Sequence, residues 1–157
     1  MEKLTGENYE HMKKNLSQEV QSQINQEVGK IIREINQFKG TYFGYDGNPD
    51  LRAATWKEAF LKIIDALLAD GKKKDADLCF PYEEIREVVV KHTSALEEIT
   101  TPVLVHWDAY DLNFFAKDGH ISGIIDFERA LWAEPLMEAQ FRALSWGGVT
   151  DSLKGYG

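Results

Sequence analysis

The sequence has a single cysteine, no long apolar run and few basic residues relative to acidic ones. Cys79 alone excludes an intramolecular disulfide and a cysteine-based metal cluster, and it favours a reducing, cytoplasmic setting. No stretch approaches about eighteen apolar residues and residues 1–14 are polar, so we expect no membrane span and no signal peptide. The net charge of −8 argues against binding to nucleic acid, which needs a basic face.

What remains is the composition of an ordinary globular domain. The chain has 157 residues, of which 43% are hydrophobic and 28% charged. This length and balance predict one folded domain over residues 1–157 with a core of its own. The acidic charge favours cationic partners, although it also serves solubility.

The first two thirds of the chain carries helical periodicity. Apolar residues three and four apart predict an amphipathic helix over 17–38, with Ser17 as its N-cap and Gly40 as its end. A second helix is expected from Trp56 to about Gly71, and a third from Pro81. The side of the third helix that the pattern predicts to be buried carries Ile85, Val88, Val89, His92 and Leu96.

The pattern changes after residue 102. A short buried strand is expected at 103–105, and a β-hairpin with strands at 114–117 and 121–125 around an Asp-Gly turn. A last helix is expected from Pro135, whereas residues 1–15 should be irregular and residues 146–157 should fray. The predicted fold class is therefore α+β, mainly α, with a small β-hairpin in one corner.

Reactive side chains concentrate in residues 106–129. His106, Asp108 and Asn113 lie between the short strand and the hairpin, and Asp126 follows the second hairpin strand. Because a hairpin folds back on itself, we expect Asp126 to return beside Asn113. Two carboxylates and an amide oxygen suit Mg²⁺, and phosphoryl transfer needs a carboxylate to orient the attacking hydroxyl.

These residues also carry a family resemblance. The pattern His-x-Asp-x-x-x-x-Asn at 106–113 resembles the catalytic loop of protein kinases and their relatives, and Ile-Asp-Phe-Glu at 125–128 resembles the metal-binding segment that follows it. With Glu-Pro-x-x-Glu at 134–138, the chain is similar to the aminoglycoside phosphotransferase and choline kinase-like family. The helix at 17–38 resembles that family's first C-lobe helix, and residues 1–6 resemble its inter-lobe hinge.

The resemblance implies a role for each matching residue. Asp108 would be the catalytic base, Asn113 and Asp126 the magnesium ligands, and His106 the residue that braces the loop. The implied cofactors are Mg²⁺ and ATP or GTP, and the implied acceptor is a hydroxyl of a small molecule. The acidic charge of the chain favours a cationic acceptor.

Residues near the matched motifs acquire weaker assignments. Arg129 stands where some relatives place an arginine near the phosphates, and backbone groups of Glu2, Lys3 and Leu4 would face the adenine.

Other positions keep two interpretations. Asp111 and Glu128 are either carboxylates facing a cationic acceptor or solvated loop charges, and Trp107 is either a packing residue or a substrate contact. Glu134 and Glu138 fit a helix start, where acids favour the helix dipole, better than substrate binding.

The departures from the family predict a partial enzyme. Relatives carry an N-terminal lobe with a phosphate-covering loop, which this sequence lacks, so we expect the C-terminal, helical lobe of a kinase-like phosphotransferase, inactive alone and prone to self-association. One alternative is a non-catalytic kinase-like binding or regulatory module. A second is a metal-dependent phosphohydrolase that uses His106, Asp108 and Asp126.

Overall fold

The computed structural model describes residues 4–142 and 149–157, which combine helices with small antiparallel sheets. The described helices are α1 (Tyr9–Lys13), α2 (Gln18–Ile35), α3 (Trp56–Lys73), α4 (Tyr82–His92), α5 (Ala139–Arg142) and α6 (Asp151–Tyr156). The described strands are β1 (Glu7–Asn8), β2 (Gly44–Tyr45), β3 (Val103–Val105), β4 (Phe114–Lys117), β5 (His120–Ile124) and β6 (Leu131–Ala133). Within these ranges, no helix has the length and apolarity needed to cross a bilayer.

Helix α2 is the longest element that the sequence predicted, and its start is confirmed. The Ser17 hydroxyl accepts a hydrogen bond from the Val20 amide at 3.3 Å. The helix ends at Ile35 with Asn36 as its C-cap, before the predicted end at Gly40. The Asn36 side chain donates a hydrogen bond to the Leu104 carbonyl, at 2.8 Å, which joins the end of the helix to β3.

The predicted hairpin is confirmed as β4 and β5 of a sheet with strand order β1-β4-β5. Asp118 and Gly119 both have positive φ, 53° and 83°, as a two-residue hairpin turn requires. The expectation of an irregular N-terminus is wrong for residues 7–13. Glu7 and Asn8 pair with β4, and α1 follows them directly.

A second sheet has the strand order β2-β6-β3. Strand β3 is confirmed at 103–105 and pairs antiparallel with β6, so that Val105 faces Leu131. Strands β2 and β6 were not predicted, because two or three residues are too short to display an alternating pattern.

Helix α4 begins after Pro81, as predicted, but it is less buried than predicted; Leu96, beyond its end, is half-buried. Val88 and His92 are exposed, Ile85 and Val89 are half-buried, and none of the helix's residues is buried. The side that contacts α3 is a different one, through the ion pair of Arg86 with Asp65 at 2.7 Å. The described chain therefore covers the apolar face of α4 only in part.

The C-terminal part also departs from expectation. Residues 151–156 form α6, capped by the Thr150 hydroxyl, instead of fraying. Helix α6 packs closely on α2, where Gly29 faces the Ser152 carbonyl and Gly155 faces the Gln26 carbonyl. The helix expected from Pro135 is a 3-10 turn at Pro135–Met137 followed by α5, and the end of that prediction lies outside the described residues.

Candidate functional site

His106 links the two loops that carry the predicted site. It directly follows β3, and its ring is fully buried. Its Nε2 lies 2.9 Å from the Ile125 carbonyl oxygen, at the end of the hairpin, and its ring packs edge-on against Phe127 with 4.4 Å between centroids. The loop after β3 and the segment after β5 are thus joined through one imidazole.

Asn113 makes a second connection between the same segments. Its backbone carbonyl accepts a hydrogen bond from the Ile125 amide at 3.0 Å, so Asn113 and Asp126 flank one end of the hairpin. Its side-chain nitrogen donates to the Asp108 carbonyl at 2.7 Å, which closes the loop between them. Because this bond uses the amide nitrogen, the amide oxygen is the atom left to contact a cation.

Asp126 has a left-handed backbone, with φ 68° and ψ 55°, and precedes a 3-10 turn at Phe127–Arg129. Trp107, on the facing loop, also has positive φ, at 72°. Aspartate tolerates this conformation better than most residues, whereas a tryptophan there requires support from its surroundings. Such backbone outliers concentrate at functional sites, because the surrounding structure has to hold them in place.

The charges of Asp108 and Asp126 both act on His106. Burial lowers the pKa of His106, while the hydrogen bond with Ile125 and the charges of Asp108 and Asp126 act in the opposite direction. The neutral ring donates from Nε2, and Nδ1 is buried without a hydrogen-bond partner among the described residues. Among the described residues, neither Asp108 nor Asp126 forms an ion pair with a lysine or an arginine.

Glu138 is the residue that the sequence analysis misjudged. Its carboxylate is fully buried and accepts hydrogen bonds from the His106 amide at 2.9 Å, the Trp107 amide at 3.2 Å and Asn36 Nδ2 at 3.0 Å. The interpretation of Glu138 as a helix-start acid is therefore wrong. The signal in the sequence was the Glu-Pro-x-x-Glu pattern at 134–138, which is part of the family resemblance.

Asn36 extends this buried network to three elements. Its Nδ2 donates to Glu138 and to the Leu104 carbonyl, and its Oδ1 accepts from the Tyr156 hydroxyl at 2.8 Å. The end of α2, strand β3 and helix α6 are therefore fastened to the loop that carries Asp108. Nothing in the helical periodicity distinguishes Asn36 from a surface residue.

Glu128, Arg129 and Trp107, which the sequence placed near the site, differ in their exposure. Glu128 and Arg129 are exposed in the 3-10 turn, and the Arg129 charge lowers the pKa of Tyr45 against the larger, raising effect of burial. Trp107 is half-buried and packs against the apolar cluster that contains Val105, which favours the packing interpretation.

Asp111 contacts α1. Its carboxylate forms an ion pair with Lys13, so it is not a free loop charge. It also lines a cavity of about 440 Å³ together with Glu10 and Tyr110.

Of the predicted adenine-side segment, only Leu4 lies within the described residues; Glu2 and Lys3 lie outside them. The Leu4 side chain lies over Gly123 of β5, where a Cβ would come within 2.7 Å of it. The neighbouring Thr5 carbonyl accepts a hydrogen bond from Ser122 at 2.6 Å, so this segment runs along the hairpin.

A family model and solved structures relate the chain to known proteins. The model of the phosphotransferase enzyme family matches residues 1–151. A search of curated protein sequences found no match. Among solved structures, the fold is similar to an ADP-bound aminoglycoside phosphotransferase APH(2'')-Ib, with a TM-score of 0.61 and 20% identity.

Two further structures show the same fold. They are a streptomycin–ATP ternary complex and a gentamicin complex of APH(2'')-IIa, each with a TM-score of 0.58 and 20% identity. For each of these three solved structures, the match covers 99% of this chain but only 54% of the solved chain. The chain thus spans about half the length of the structures it resembles.

Proposed function

Since the chain belongs to the phosphotransferase enzyme family, we propose that it carries the catalytic loop and the metal-binding segment of an ATP-dependent small-molecule kinase. In this proposal, residues 1–157 are the C-terminal lobe, with the catalytic loop at 106–113 and the metal-binding segment at 125–129. The observation that carries it is the bond from His106 to the Ile125 carbonyl, which holds the two loops together.

The donor set suits magnesium. Asn113 retains an amide oxygen, and the Asp126 carboxylate is exposed and lacks a cationic partner within the described residues. Mg²⁺ keeps several waters and substrate oxygens when it binds, so few protein ligands are required. When bound, it would neutralise charge on the phosphates.

Asp108 would act on the acceptor. Its carboxylate would accept a hydrogen bond from the attacking hydroxyl, orient its oxygen and take its proton as the phosphoryl group is transferred. His106 and Asn113 would fix the position of Asp108 by holding its loop. Removing the Asp108 carboxylate should therefore affect turnover far more than folding.

The substrates follow the family in class. We propose ATP or GTP as donor, with Arg129 near the phosphates and Leu4 on the adenine side, and a hydroxyl of a small molecule as acceptor. The cavity beside Asp111 is also lined by Glu10, an acid without a lysine or arginine partner in the described ranges, which suits a cationic acceptor. Because the chain spans about half of its structural neighbours, we expect it to bind nucleotide weakly and to turn over poorly by itself.

The other two functions fit the geometry less well. The phosphohydrolase would need His106, Asp108 and Asp126 as ligands, but within 4–142 and 149–157 no three His, Cys, Asp or Glu residues lie in a metal-binding group. His106 Nε2 is also occupied by the Ile125 carbonyl. A non-catalytic module would not require that the loop carrying Asp108 be fastened to the segment carrying Asp126.

The test is Asp108→Asn in the longest gene product that contains this chain, assayed for ATP-dependent phosphorylation of a panel of hydroxyl compounds. We expect turnover to fall by about 10² to 10⁴-fold, as for loss of a general base. The matched control is Asp118→Asn, the same change in the exposed hairpin turn, which should keep full activity.

Two results would contradict the proposal. The first is a fully active Asp108→Asn protein with an unchanged circular dichroism spectrum. The second concerns the 157-residue chain alone: tight Mg–ATP binding by titration calorimetry would contradict its description as an isolated lobe.

A further inference from the structure

The partly covered apolar face of α4 borders a groove at the surface. Phe80, Ile85, Val88 and Val89 line it, together with Glu84, around a volume of about 290 Å³. Phe80, just before the helix, is 64% exposed and Val88, within it, is 54% exposed, which is high for apolar side chains of this size. The sequence has the spacing of a core-facing helix, but the described chain covers Ile85 and Val89 only in part and leaves Val88 exposed.

One flank of this helix is already occupied. Tyr82 and Arg86 contact the α3 side, through the Ala76 carbonyl and the 2.7 Å ion pair with Asp65. At 100° per residue, these side chains lie on one flank of the apolar strip, and Glu84 and Lys91 lie on the other. The second flank is therefore free for an incoming partner.

The free flank carries charges of both signs at a fixed distance. Glu84 and Lys91 are seven residues apart, which is close to two turns, so they project from the same side of α4. Both are exposed, and neither forms an ion pair with a residue in the described ranges. The acid stands near the N-terminal end of the helix and the base near its C-terminal end.

This arrangement is complementary to itself. When two such helices pair antiparallel about a two-fold axis near Val88, each free flank meets the same flank of the other copy. Glu84 then faces Lys91 of the partner subunit, and the pair occurs twice, while Val88 and Ile85 are covered. We propose that α4 is the contact face of a homodimer of this chain, in an antiparallel arrangement.

The first test is molar mass by light scattering as a function of concentration. The chain, a monomer of 17.9 kDa, should approach twice that mass, whereas Val88→Glu should stay monomeric. Val90→Glu is the matched control, because Val90 is also exposed, at 42%, but lies on the opposite side of α4. It should dimerise as the parent does, and both variants should keep the parent's circular dichroism spectrum.

The second test is charge exchange. Glu84→Lys and Lys91→Glu should each weaken the dimer, while a mixture of the two variants, and the double variant alone, should restore it. A parent chain that stays monomeric up to its solubility limit overturns the proposal. So does loss of the dimer in Val90→Glu, or failure of the mixture to associate. None of these readouts depends on nucleotide or turnover, so they are separate from the proposed function.

Discussion

At the scale of single residues, the loop that carries Asp108 is held by one buried carboxylate. Glu138 accepts hydrogen bonds from the amides of His106 and Trp107 and from the Asn36 side chain. These bonds support a backbone in which Trp107 adopts a left-handed conformation. The position of Asp108 therefore depends on an acid that lies far from it in sequence.

Glu138→Ala should lower the free energy of unfolding by more than about 3 kcal/mol, because it removes the acceptor of three hydrogen bonds in a buried site. Glu138→Gln keeps one acceptor oxygen and should lose less. Urea unfolding followed by circular dichroism measures both, with exposed Glu98→Ala as a control expected within about 0.5 kcal/mol of the parent. Equal stability of Glu138→Ala and Glu98→Ala would contradict the role assigned to Glu138.

His106 should make stability depend on pH. Burial lowers its pKa in the folded state below the ordinary value of 6.5, so the unfolded chain takes up the proton first as pH falls. Its contribution to stability is complete above that value and is lost as pH falls below it. Between about pH 7.5 and pH 5.5, the parent should lose more stability than His106→Gln, which retains a donor for the Ile125 carbonyl. Parallel pH profiles for the two proteins would show that His106 does not titrate this way.

The site residues differ in how well the sequence predicts them. Asp108, Asn113 and Asp126 belong to a local pattern, and the hairpin between them makes their convergence predictable. Glu138 and Asn36 have no such pattern, because a buried polar side chain is identified by its partners, which are distant in sequence. The same holds for the ion pair of Asp111 with Lys13.

At the scale of elements, α6 is fixed to α2 through two glycines. A Cβ at Gly29 would overlap the Ser152 carbonyl, and a Cβ at Gly155 would overlap the Gln26 carbonyl. The absence of side chains thus lets the two backbones touch. Since Tyr156 of α6 also donates to Asn36, this contact supports the network behind the loop that carries Asp108.

Gly29→Ala separates packing from helix propensity, because the two effects have opposite signs. Alanine inside an isolated helix would gain about 1 kcal/mol over glycine, whereas the overlap with Ser152 should produce a net loss of about 1–3 kcal/mol. Thermal or urea unfolding gives the sign directly. The control is Gly47→Ala, at a position with open space around it, which should be nearly neutral. A stabilised Gly29→Ala protein would mean that α6 does not pack there.

The predictability of an element depends on its length and on what covers it. Helix α2 has many turns of apolar periodicity, so its existence and N-cap could be predicted. Strands β2 and β6 are too short to show a period, and their partners define them. The periodicity of α4 predicts an apolar face correctly, but periodicity alone does not say what covers that face.

At the scale of the whole molecule, the site lies where two apolar clusters meet. The first cluster contains Tyr9, Ile32 and Phe114, and the second contains Trp56 and Val105. His106 directly follows Val105 of the second cluster, and Asn113 directly precedes Phe114 of the first. Each cluster therefore positions one part of the site. Disrupting the packing of either cluster would therefore move the loop that carries Asn113 away from the segment that carries Asp126.

The central claim is that Asn113 and Asp126 hold one divalent ion together with a nucleotide. Its most direct test is a titration of the ¹⁵N-labelled chain with Mn²⁺ and ATP, because paramagnetic broadening of amide signals reports even weak binding near the metal. The amides of Asn113 and Asp126 should broaden at a lower Mn²⁺ concentration than that of Asp118, at the far end of the hairpin, and Asp126→Asn should remove this difference. Equal broadening at both ends of the hairpin, or a preference that persists in Asp126→Asn, would contradict the account.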